Sequence, residues 1–315
     1  MSTFASEIKR FLAHKRTVGL GYRREESFLK ELGRLACSRR EGILSEELVR
    51  EYLSRWSDAG RPNRLTVVRV LARFLAIDEP RTFIPPLRFI GIRRRQPVVR
   101  VFSREEAGRF LAACDVLPEV RAYPIGLVHG IALRTLLLTG LRRGELLALR
   151  DEDVDLSEAV LTVRRGKFGK SRFVPLASDL VQRLRAYREA VSRAIAPPRP
   201  TSAFFPRPQG QQPIACTTLY RSFRRTLELA GIKHLGRGQG PRLHDVRHSF
   251  AVLRLLRWYE TGADLSVKLP LLATYLGHIG LASSQVYLHL TEDFASELTR
   301  RQLDRFGDLI TEVAQ

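Results

Sequence analysis

Residues in four separated segments of this 315-residue chain have side chains suited to phosphate chemistry. The first segment is TGLRRGEL, residues 139–146, with Arg142, Arg143 and Glu145. The second is GKFGK, residues 166–170, with Lys167 and Lys170. The third is HDVRH, residues 244–248, with His244 and Arg247. The fourth is LGH, residues 276–278, with His278, and Tyr287 follows it. A guanidinium presents a planar fork to non-bridging phosphate oxygens and neutralises charge that grows in a pentacoordinate transition state. An imidazole donates to the same oxygens or moves a proton near neutral pH. A lysine can protonate a leaving oxygen. A phenol can attack phosphorus and store the bond as a covalent phosphotyrosine.

Each segment has an ordinary reading beside the chemical one. TGLRRGEL could be a glycine-capped turn feeding a surface helix, and Tyr287 could fill a core. His244 and His248 are four positions apart, as zinc ligands often are, but there is no H-E-x-x-H arrangement and no cysteine pair nearby, so no metal is expected. Gly236, Gly238 and Gly240 lack the Lys-Ser/Thr ending of a phosphate loop. The acidic stretch 151–155 reads as a solvated turn, and His14, His129 and His234 as structural or exposed residues. Composition does not say which of Arg142 and Arg143 points inward, nor which of Lys167 and Lys170 acts.

The elements that must hold these residues follow from periodicity. Phe4, Ile8, Phe11 and Leu12, then Phe28, Leu29 and Leu32, then Leu44, Leu48 and Leu53 repeat at helical spacing. Leu65, Val68, Leu71, Phe74 and Leu75 do so most cleanly. The opposite face of that last helix carries Arg64, Arg69 and Arg73, an arrangement suited to lying against phosphates. Residues 1–78 therefore read as an all-helical module. Residues 79–102 hold four prolines and six arginines, among them Arg93, Arg94 and Arg95, and read as an extended basic linker. From Ser103 a capping box with Glu106 opens a second module, 103–315. Its helices are expected up to about 149 and near 177–196, 217–230, 244–260, 264–276 and 292–313. AVLTVRRGKFGKSRFVPL is expected to form a β-hairpin with its tip at 166–169. The fold class is thus mainly α with a small antiparallel β-sheet.

Composition narrows the partners. Lys and Arg number 53 against 33 Asp and Glu, a net charge of +20 spread over both modules, and 44% of residues are hydrophobic. That hydrophobic content argues for folded cores rather than disorder, and the charge argues for a polyanion, most often nucleic acid, with a membrane surface as the alternative; two positive modules could close on a double-stranded DNA from opposite sides. Three cysteines without disulfide or ligand spacing, no apolar leader and no membrane-length apolar run point to a cytoplasmic protein.

Taken together and in this order, the segments resemble the tyrosine recombinases, the phage integrase family that includes Xer and Cre recombinases. The resemblance implies a helical SAM-like core-binding domain, a linker and a tyrosine-recombinase catalytic domain. It matches Arg142 to the family's first arginine, with Glu145 as the acidic residue that orients the pocket. It matches Lys167 to the hairpin lysine, His244 and Arg247 to the H-x-x-R box, His278 to the later histidine and Tyr287 to the nucleophile. It implies strand exchange through a 3′-phosphotyrosine without metal, ATP or other cofactor, by a homo-tetramer on DNA, with related recombinases or accessory proteins as further partners. The tail, with Phe294, Leu298, Phe306, Leu309 and Ile310, would pack on a neighbouring subunit or fold back on its own domain. The 31 positions from Arg247 to His278 exceed the compact members' spacing; an insertion around 258–260 and 268–270 is expected to lengthen or kink two helices and hints at a mobile-element enzyme. A tyrosine-dependent type I topoisomerase and a non-catalytic DNA-binding regulator of the same fold are the alternatives.

Overall fold

The computed structural model describes residues 4–87, 89, 99–119, 123–164, 171–194, 197, 199–208, 210–236 and 240–277. Contacts divide the chain into two compact units, Met1–Gln96 and Pro97–Gln315.

The first unit is built on four helices, α1 (Phe4–Thr17), α2 (Arg23–Ser38), α3 (Glu46–Ser54) and α4 (Arg61–Leu75). Their apolar stripes meet in one core of Phe11, Leu29, Leu32, Leu48, Leu53, Val68 and Leu71, in the pattern the periodicity predicts. Ser45 starts α3 by accepting the Leu48 amide at 3.1 Å, and the buried Tyr52 hydroxyl donates to the Phe28 carbonyl at 2.9 Å. One expectation fails here. Arg64 does not face solvent: it is buried, its Cζ 3.3 Å from the Trp56 ring centroid and 4.2 Å from that of Phe28. Helical spacing put it opposite the stripe, but two aromatic rings from α2 and the loop after α3 cover that side. Arg69 is half-buried, and Arg73 is exposed.

The start of the basic stretch belongs to this unit. The Phe83 amide donates to the Leu44 carbonyl at 2.8 Å, and Phe83 packs against Phe89, whose ring lies under Arg50. Its end belongs to the second unit, where Val101 and Phe102 are buried.

In the second unit come α5 (Arg104–Asp115), α6 (Ile125–Thr139), the short α7 (Arg143–Ala148) and strands β1 (Val154–Asp155), β2 (Val160–Val163) and β3 (Arg172–Pro175). They are followed by α8 (Ser178–Ala194), β4 (Pro206–Arg207), β5 (Gly210–Pro213), α9 (Cys216–Leu229), α10 (Leu243–Glu260) and α11 (Leu265–Leu276). The predicted capping box opens α5: Ser103 Oγ accepts the Glu106 amide at 3.1 Å, and the Glu106 carboxylate accepts the Ser103 amide at 3.0 Å. β1, β2 and β3 form an antiparallel sheet in that order, and the register Val163↔Arg172 pairs the two strands of the expected hairpin, whose tip lies outside the described residues. The sheet is not alone: β4 and β5 pair antiparallel. Periodicity missed this second sheet because each strand is short and bounded by proline. The expected helix near 292–313 lies outside the described residues.

Helix α6 is buried nearly all round and forms the axis of the unit, packed by α5, α8, α9 and α10. α10 runs unbroken past residue 258 to Glu260, and Pro270 sits inside α11. Among the described residues no helix is long and apolar enough to cross a membrane.

Candidate active site

A helix leaves its last carbonyls without intrahelical partners, and its C-terminus is the negative end of the backbone dipole. At α11 three consecutive carbonyls of this kind each accept from a different arginine. Arg172 Nε donates to Tyr275 at 2.7 Å, Arg247 Nη2 to Leu276 at 2.6 Å, and Arg142 Nη2 to Gly277 at 3.0 Å. The arginines come from β3, α10 and the residue before α7, so one helix end gathers three cations. Gly277 permits this. It ends α11 at φ +68°, and a Cβ there would lie 3.1 Å from Arg172 Nη1 and 3.5 Å from Arg142 Nη1. The next residue in the chain is His278.

Glu145 is the counterweight. Buried in the first turn of α7, it accepts the Arg142 amide at 2.9 Å and Arg142 Nη1 at 2.7 Å, and Arg172 grips both of its oxygens at 3.0 and 2.8 Å. Burial works to raise the Glu145 carboxyl, but Arg172, then the Arg142 amide and guanidinium, outweigh it and hold the pKa down at about 2. The carboxylate is therefore charged throughout the working range. Arg142 keeps 23% of its side chain exposed, enough for an anion to reach it.

Arg247 is fully enclosed on α10. Besides Leu276 it serves the Gly140 carbonyl, Nη1 to O at 2.7 Å. Gly140 ends α6 at φ +62°, so this arginine joins the C-termini of α6 and α11. A buried cation is costly unless hydrogen-bonded, and these carbonyls supply that compensation. The start of α10 is fixed by Asp245, which accepts the Arg242 amide at 2.8 Å and its guanidinium at 2.7 Å. Ser249 Oγ accepts the Phe102 amide at 2.9 Å, anchoring the end of the basic stretch to α10. His244 lies one turn before Arg247, with its ring edge against His248 at 4.6 Å. Desolvation, then the Arg247 charge, lowers the His244 pKa; desolvation and His244 lower that of His248 to about 4. Burial thus favours the neutral form of both imidazoles near pH 7.

Of the residues singled out from sequence, Arg142, Glu145, His244 and Arg247 are brought to one end of α11 or the adjoining turn of α10. The choice between neighbouring arginines is made by the fold: Arg143 is exposed, while Arg142 turns to Glu145 and Gly277. Lys167, Lys170, His278, Tyr287, Arg93, Arg94, Arg95 and the tail lie outside the described residues. The three histidines read as structural or exposed have specific partners: His14 stacks on Phe74, His129 bonds Ser222 Oγ at 2.6 Å, and His234 accepts the Gly236 amide. The acidic stretch is likewise engaged by protein groups, Asp153 with Arg164 and Asp151 with Arg188. Sequence reasoning missed Arg172 and Arg242. The alternation along β3 carried a signal, since Arg172 shares a face with buried Val174, and an inward arginine on a strand needs an acceptor.

Comparison with known proteins agrees with this geometry. The family described as the phage integrase family matches residues 100–293. A Sinorhizobium fredii protein named as an integrase/recombinase (y4rB) is 32% identical over 98% of this chain and 99% of its own length. Tyrosine recombinase XerD of Pseudomonas aeruginosa is 31% identical over 67% of this chain and 64% of its own. Among solved structures, the XerH site-specific recombinase bound to a palindromic difH substrate aligns at TM-score 0.65, with 20% identity, over 95% of this chain and 84% of that one. The Tn1549 transposon integrase in complex with a circular intermediate DNA aligns at TM-score 0.62, with 17% identity, over 91% and 95%. With its two units, its α11 arginine cluster and these relatives, the chain belongs to the phage integrase family of tyrosine recombinases.

Proposed function

We propose that this protein is an active site-specific DNA recombinase that cuts and rejoins duplex DNA through a 3′-phosphotyrosine on Tyr287, in the service of a mobile element. The observation that carries the reading is the convergence of Arg142 and Arg247 on adjacent carbonyls just before His278. Two guanidiniums so placed, one of them open to solvent, suit the non-bridging oxygens of a scissile phosphate. In this reading Tyr287 attacks phosphorus, the bond to the 5′-oxygen breaks, and Lys167 protonates that oxygen as it leaves. His278 donates to a non-bridging oxygen. His244, its neutral form favoured by burial, takes the phenolic proton or bonds the phosphate. The 5′-hydroxyl of a partner strand then reverses the step, so the phosphodiester energy is conserved and no cofactor is consumed.

The net charge of +20 supports a duplex partner. Arg73, Lys170 and the arginines at 93–95 are the backbone contacts we assign outside the pocket. Exchange needs two sites, so we assign a tetramer on DNA, with the tail as the segment that joins subunits. A nicked suicide substrate traps the intermediate: wild type forms a covalent protein–DNA adduct and Tyr287→Phe forms none. An adduct that survives Tyr287→Phe rules out the nucleophile, and relaxation of supercoiled plasmid without exchange products identifies a topoisomerase instead.

A further inference from the structure

Arg172 is nowhere among the residues whose chemistry the reaction requires, yet it makes as many hydrogen bonds in the cluster as Arg142 does. It holds both oxygens of Glu145, at 2.8 and 3.0 Å, and the Tyr275 carbonyl at 2.7 Å. Glu145 in turn holds the amide and the Nη1 of Arg142, while Arg142 Nη2 reaches the carbonyl two residues past Tyr275. These bonds close a ring: Arg172, Glu145, Arg142, Gly277 and back along the chain to Tyr275. Its members sit on β3, α7 and α11, which are remote in sequence. Arg172 shows only 13% of its side chain, against 23% for Arg142, so the first is enclosed where the second is reachable.

We propose that Arg172 is a positioning residue for strand cleavage: it fixes Glu145 and the end of α11 so that Arg142 presents its guanidinium to the scissile phosphate in one orientation. The inference rests on the recombinase reading above and deepens it. Without Arg172 the buried carboxylate has a single cationic partner. It then pulls Arg142 inward and neutralises more of that arginine's charge, at the expense of the phosphate. The effect belongs to the chemical step, because the ground-state affinity for DNA is spread over many other cations.

The test compares full-length wild type, Arg172→Met, Arg172→Lys, Glu145→Gln/Arg172→Met, Arg142→Lys and Arg142→Lys/Arg172→Met. The readouts are thermal unfolding, equilibrium binding to a nicked suicide duplex, and the first-order rate of adduct formation at saturating DNA. Arg172→Met is expected to slow adduct formation roughly 10- to 100-fold while changing DNA affinity by less than about threefold. Arg172→Lys, which keeps the charge but not the fork, recovers part of the rate. In the Arg142→Lys background, Arg172→Met costs much less than it does alone, because its effect passes through Arg142. Glu145→Gln/Arg172→Met removes both buried charges, keeps the fold and still cleaves slowly, which separates positioning from stability if Arg172→Met unfolds. A wild-type cleavage rate in Arg172→Met and in Glu145→Gln/Arg172→Met overturns the proposal. So does a loss confined to DNA affinity, or a full additional loss in the Arg142→Lys background. If wild type itself forms no adduct, the recombinase reading fails and this inference goes with it.

Discussion

Arg247 and Arg142 donate to neighbouring carbonyls, those of Leu276 at 2.6 Å and Gly277 at 3.0 Å, so a single helix end sets the spacing between two guanidiniums from distant parts of the chain. Neither arginine is held by a partner next to it on its own helix alone. The helix end they share is therefore the part of the fold on which the proposed phosphate clamp depends.

Replacing Arg247 tests that dependence. Arg247→Ala leaves the carbonyls of Gly140 and Leu276 in a dry interior without these donors, and each lost bond costs about 1–3 kcal/mol of stability. Loss of a clamping cation costs a further ~3–4 kcal/mol in the transition state. Adduct formation should fall by a factor of about 10² to 10³, and urea unfolding should show a lower midpoint. Arg247→Lys, lacking the fork, should restore less than half of either loss in free energy.

Gly140 is a second point of sensitivity. Its φ is +62°, and a Cβ would come within 2.4 Å of Phe250 Cδ1. Gly140→Ala should therefore combine backbone strain with overpacking and lower stability by about 2–4 kcal/mol. Thermal unfolding measures this. Gly140→Ala/Phe250→Leu should recover part of the loss by opening the space while leaving the strain.

The first unit makes a contrast between two arginines of α4. Arg64 is sandwiched by Trp56 and Phe28, with Glu31 at 3.7 Å, whereas Arg73 is exposed. Arg64→Ala should reduce stability by about 1–3 kcal/mol through lost packing and cation–π contact. Arg73→Ala should leave the melting temperature unchanged and reduce the slope of log affinity for DNA against log salt by about 1. Melting curves and salt titrations of the two variants decide the assignment.

Acid stability carries the signature of buried histidines. Burial lowers His129 to about 4, and burial followed by the His244 charge lowers His248 to about 4, from an ordinary value near 6.5. Between about pH 6.5 and pH 4 the unfolded chain binds protons that the folded chain does not, so stability falls as pH falls through that window. Asp151 opposes this, since burial raises its carboxyl to about 6 and the folded state holds that proton more tightly below it. His129→Asn should flatten the slope of unfolding free energy against pH by up to about 1.4 kcal/mol per unit, whatever it does to stability at pH 7. Urea titrations at pH 7, 6 and 5 check it.

The sequence alone carried the helical stripes of the first unit, the hairpin strands around residues 164–171, the capping box at Ser103 and the phosphate-directed segments. Each is written in spacing that a local rule can read: period 3.6, period 2, or a cap three residues from its partner. It also placed His244 and Arg247 one turn apart on a helix, as they are found. The tertiary structure alone decided which of Arg142 and Arg143 turns inward, that Arg64 is enclosed by aromatic rings, and that Arg172 and Glu145 form an ion pair. In each of these cases at least one partner is remote in sequence: Gly277 for Arg142, Phe28 for Arg64 and Glu145 for Arg172. An arginine's long side chain can lie in solvent, over a ring or on a carbonyl at little difference in local energy, so its fate depends on which distant groups the packed helices bring within reach. The backbone carbonyls at the end of α11 carry no mark in the sequence beyond Gly277, and only folding turns them into acceptors shared by three cations.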